Sequence, residues 1–65
     1  MDKQTALYLA YGIAEALEDP ESRARLLHLY GSHGVGKMVE GARALAAQYH
    51  FEPPLFPTVI SVMAA

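Results

Sequence analysis

At 65 residues the chain is about half the length of an ordinary domain, so one folded unit is the ceiling and a doubly wound sheet or a barrel is excluded. Hydrophobic residues make up 52% and charged ones 18%, which is too apolar for an intrinsically disordered chain. The net charge of -2 disfavours binding to a phosphate backbone, and the lack of cysteine removes disulfides and thiolate metal ligands and suits a reducing, cytoplasmic setting.

Eleven alanines against five glycines, with no tryptophan, favour helix over strand. Thr5 to Leu17, wound at 3.6 residues per turn, places Ala6, Leu9, Ala10, Ile13 and Leu17 on one stripe, with Leu7 and Ala14 at its edge. This predicts a first helix. Its opposite side carries Tyr8, Tyr11, Glu15 and Glu18 at spacings of three and four. The apolar run ending in Ala14-Glu15-Ala16 looks superficially like a secretory leader, but Met1 to Gln4 has no net positive charge, so a helix of the folded protein is expected.

Asp19-Pro20-Glu21 is a helix start signal, because Asp can accept from free backbone N–H groups, Pro tolerates the first helical position and Glu suits the positive dipole end. A second helix runs from there to Tyr30, with Leu26, Leu29 and Tyr30 inward and Arg23 and Leu27 beside them. Gly31 is expected to cap it with positive φ, where the missing Cβ removes the steric cost. A third helix carries the cleanest stripe, Val35, Met38, Val39, Ala42, Leu45, Ala46 and Tyr49. Glu52-Pro53-Pro54 ends it. From Leu55 onward, Phe56, Val59, Ile60, Val62 and Met63 recur at helical spacing, which predicts a fourth, short helix, with an extended edge segment as the alternative because three of these residues are β-branched. The fold expected is therefore all-α: a single three-helix domain over residues 1–65 with a short apolar C-terminal helical segment.

Several motifs invite chemistry and fall short of it. Gly31-Ser32-His33-Gly34-Val35-Gly36-Lys37-Met38 has the spacing of a phosphate-binding loop, but Met38 stands where a magnesium-holding hydroxyl is needed and no strand precedes the loop. What survives is a turn that could hold an anion with Lys37. Residues 20–50 resemble a helix-turn-helix in outline, with Lys37 and Arg43 available to nucleic acid. With Gly31 as the turn glycine, however, Leu27, Lys37 and Glu40 occupy positions that the motif reserves for small or apolar residues. His28, His33 and His50 with Glu52 lack a recognised metal-ligand spacing. Ser22, Ser32 and Ser61 sit in no nucleophile context, and so short a chain has little room for a water-excluding catalytic pocket. Neither a cofactor nor a catalytic residue is expected.

What remains is surface. A domain of about 60 residues buries only about 60% of the area its unfolded chain exposes, and the surplus apolar residues need a destination. Two surfaces are expected to provide one. Tyr8, Tyr11, Glu15 and Glu18 would form an acidic aromatic patch for a partner protein, and Leu55, Phe56, Ile60 and Met63 a self-association seam. The functional expectation is a small non-enzymatic interaction protein, a regulator, inhibitor or adaptor of bacterial or phage type, working as a homodimer. The alternative is a DNA-binding regulator using the degenerate helix-turn-helix.

Overall fold

The structure, a computed structural model, describes residues 1–57, and all secondary structure among them is helical. There are two helices, α1 (Lys3–Glu18) and α2 (Pro20–Tyr49), followed by a non-helical tail over residues 51–57. Only Asp19 separates the helices. Its side chain accepts from the Ser22 backbone N–H at 3.0 Å while Pro20 opens the first turn, as the start signal requires. The Arg23 guanidinium donates to the Leu17 carbonyl at 3.1 Å, covering an otherwise unpaired acceptor at the end of α1. At the other end, Asp2 caps α1 by accepting from the Thr5 N–H at 2.8 Å, so the helix opens at Lys3, two residues before the expected start.

The expected count of three helices with a fourth behind them is corrected. Gly31 does take positive φ (φ 73, ψ 174), but it does so inside one 30-residue helical element. Ser32, His33 and Gly34 are already helical, so no loop divides the element in two. The physical consequence is a bend. Thirty residues of straight helix would span about 45 Å at 1.5 Å per residue, whereas the longest dimension of the molecule is 31 Å. The same bend brings Tyr30 onto Gly34: a Cβ built on Gly34 would lie 2.6 Å from the Tyr30 Cβ, against about 5–6 Å for a pair four apart on a regular helix. We call residues 20–30 the first arm of α2 and residues 32–49 the second.

The tail carries no helix over residues 51–57. Three prolines, Pro53, Pro54 and Pro57, remove backbone donors there and push the residues before them out of the α region. The remainder of the expected fourth helix lies outside the described residues. α2 itself ends with His50 in the left-handed region (φ 58, ψ 54), and the Phe51 N–H returns to the Ala46 carbonyl at 3.0 Å.

Small residues build the packed layer. Ala6, Ala10, Ala14 and Leu17 of α1 and Val35, Val39, Ala42 and Ala46 of α2 are buried. Leu17, Val35 and Val39 form the centre, with Ile13, Leu26, Leu27 and Phe56 packed against it. Leu17 near the end of α1 thus meets the start of the second arm, while Tyr11, earlier on α1, meets Phe51 beyond the end of that arm. The two helical segments therefore run antiparallel. Alanine at four-residue spacing on both lets the backbones approach closely. The alanine stripe also rotates α1 from the orientation expected, so that Ala14 is central and Leu9 is exposed. Leu29 and Tyr30, expected inward, lie exposed just ahead of the bend, where Gly31 redirects the chain.

Candidate functional site

Two hollows flank α1, and the residues singled out in the sequence divide between them. The larger, of about 740 Å³, runs between α1 and the tail, with Tyr11, Glu15, Glu18, Arg23, Glu52 and Phe56 among its walls. The prolines turn the chain back after α2, and this return creates the hollow. Tyr11 holds the tail in place: its hydroxyl donates to the Glu52 carbonyl at 2.8 Å, and its ring lies 6.3 Å from that of Phe51. Further along, Phe56 packs on the core while the Arg43 guanidinium sits over its ring at 5.6 Å, within cation–π range. Leu55, between two anchored neighbours, points into water at 94% exposure.

The electrostatics of this hollow are acidic. Glu15, Glu18 and Glu52 are all exposed, and Arg23, turned partly toward the Leu17 carbonyl, is the one cation among the lining residues. Such a groove can receive positively charged groups and apolar side chains together. The described residues bury no polar or charged side chain, and no group of three His, Asp or Glu among them converges as a metal site. The two aspartates with displaced titration are helix caps. Asp2 is held below the ordinary carboxylate value by donation from the Thr5 hydroxyl and then its N–H, and Asp19 by the Ser22 N–H and then its hydroxyl.

The second hollow, of about 280 Å³, is lined by Tyr8, Leu9, Gly12, Ile13, Ala16, Leu26 and Met38 and contains no charged side chain. Tyr8 belongs here, so the expected acidic aromatic patch is split: Tyr11, Glu15 and Glu18 face the tail groove, and Tyr8 borders an apolar one.

Of the expected self-association seam, Leu55 is exposed, Phe56 is half-buried on the core, and Ile60 and Met63 lie outside the described residues. Lys37 is exposed and paired with Glu40 at 3.5 Å, and Arg43 is exposed but engaged by Phe56, so neither cation stands free on the second arm. Sequence reasoning missed Glu52 and Phe56 as groove walls and Gly12 as a groove floor. The proline pair was the available signal for the first two, since a chain turned back on its helix must carry its neighbours along that helix. Comparison with known protein families, with curated proteins and with solved structures finds no match.

Proposed function

We propose that the chain is a small non-enzymatic protein-interaction module, of the regulator, inhibitor or adaptor type, that binds a basic segment of another protein and works as a homodimer. The observation that carries the reading is the tail groove, in which Tyr11 and Phe56 stand beside Glu15, Glu18 and Glu52 with one cation among them. Carboxylates in water would steer a positively charged partner and set its on-rate, while desolvation of the rings would supply most of the affinity. The tail is pinned at Tyr11 and at Phe56, so the groove meets its partner already formed, which lowers the ordering cost of binding.

The test is an anisotropy titration of the full chain with a labelled peptide of alternating lysine and leucine, repeated over a range of salt. Saturable binding that weakens with salt and drops about tenfold or more in the double variant Glu15→Lys/Glu18→Lys supports the reading. Binding unaffected by that variant overturns it. So does tight binding of duplex DNA with a steep salt slope, the behaviour of a DNA-binding regulator.

A further inference from the structure

We infer that the apolar hollow around Gly12 is the seat of a second copy of this chain, with the α1 helices of the two copies crossing antiparallel at Gly12 about a two-fold axis. The inference rests on the self-association part of the reading above and assigns that association to a face other than the tail.

Area supports it. Tyr8, Leu9, Leu29 and Tyr30 are 79%, 40%, 62% and 57% exposed. With about 150–250 Å² for a whole aromatic side chain, and less for leucine, these four leave on the order of 500 Å² of mainly apolar surface in water. Tyr8 and Leu9 line the hollow, and Leu29 and Tyr30, three and four residues beyond its wall residue Leu26, extend the apolar surface from that wall toward the bend by helical spacing. Two such faces, fully opposed, would remove about 1,000 Å² through these side chains, the threshold that a biological interface must clear, and the hollow's own floor adds to it.

Charge supports a second copy over a charged partner. Despite the chain's net charge of -2, the hollow has no ionised side chain, so two copies can meet there without opposing like charges. A two-fold interface also needs projection and recess on the same face. Tyr8 projects at the rim while Gly12 and Ala16 form a low floor, and an antiparallel crossing at Gly12 lays Tyr8 of each copy over Ala16 of the other.

Gly12 fits the crossing. A Cβ built at Gly12 meets nothing within 4 Å, as is also true at Gly41, but of the two only Gly12 lies in the lining of the apolar hollow, where the missing Cβ lets a second backbone come close.

The experiment is sedimentation equilibrium on the full chain and two variants, Gly12→Glu and Gly41→Glu. A Cβ at either glycine meets nothing within 4 Å, so both variants should fold, and circular dichroism of each verifies this. The expected result is a wild-type mass rising from 7.1 kDa toward twice that value over about 1 to 500 µM, with Gly12→Glu weakening the dimer about a hundredfold or more and Gly41→Glu leaving it unchanged. A dimer that survives Gly12→Glu overturns this assignment but leaves self-association standing through another face. A wild-type monomer at every concentration overturns the assignment and self-association together, while the peptide titration still decides partner binding separately.

Discussion

Substitution of Gly31 by alanine tests the bend in α2, because the sign of the effect depends on whether the bend exists. If residue 31 were an ordinary interior helical position, Gly31→Ala would stabilise the protein by about 0.5–1 kcal/mol through the lower chain entropy of the unfolded state. At φ 73 and ψ 174, however, the residue occupies a region open almost only to glycine, and a side chain there costs on the order of 1–3 kcal/mol. A chain of this length has a total stability of only about 3–10 kcal/mol. The substitution should therefore remove a substantial fraction of it and lower the melting temperature by about 5–20 °C, at about 4–8 °C per kcal/mol. Urea denaturation followed by helical circular dichroism measures this, with Gly41→Ala as the control in a position free of steric contacts; that variant should gain about 0.5–1 kcal/mol. D-alanine at position 31, introduced by chemical synthesis, prefers the mirror-image backbone and should restore the lost stability. A Gly31→Ala protein as stable as the wild type, or more so, with increased helicity, would refute the bend and the arrangement of both hollows that depends on it.

Three other outcomes follow from the same geometry. Leu17 is fully buried at the centre of a core that has three large fully buried side chains among the described residues, so Leu17→Ala should cost about 2–5 kcal/mol and leave much of the chain unfolded at 37 °C by calorimetry. The two tyrosines should behave differently: Tyr8→Ala should leave the melting temperature of the Gly12→Glu monomer within a few degrees, whereas Tyr11→Ala, which loses the Glu52 hydrogen bond and the Phe51 contact, should lower it clearly. Asp2 and Asp19 titrate below the ordinary value of 3.8 in the folded chain, so their capping contribution is complete above about pH 4 and is lost as pH falls through their folded values. Because Asn keeps the cap but not the charge, acid melts of wild type and Asp19→Asn should diverge above that pH and converge below it; parallel curves would contradict the lowered titration of Asp19.

Legibility in the sequence followed the range of the interactions involved. The start of α2 was readable because Asp19, Pro20 and Ser22 satisfy one another within a single turn. The stripe Val35, Val39, Ala42 and Ala46 was readable because periodicity alone defines a helix face. Gly31 showed its positive φ, but not that helix would resume at once on its far side, since capping glycine and kinking glycine carry the same local signal. Leu9, Leu29 and Tyr30 were placed inward on hydrophobicity, whereas contact geometry chose smaller residues: alanines allow helices to close up, and larger side chains one position round are left outside. The tail groove was the least legible feature. Its formation depends on a hydrogen bond spanning 41 residues, from Tyr11 to Glu52, which no local pattern encodes. Tyr8 and Tyr11 share a side of α1 by spacing, but the elements packed on either side of that helix give them different surroundings.

The most direct measurement on the surface this chain leaves uncovered is an isotope-filtered NOE experiment on a mixture of labelled and unlabelled chains, which detects only contacts between copies. Cross-peaks between the Tyr8 ring of one copy and the Ala16 methyl of the other, growing with concentration, are the result predicted. A Tyr8 ring with no contact to a second molecule at concentrations where the protein is dimeric, or a protein that never dimerises, would contradict it.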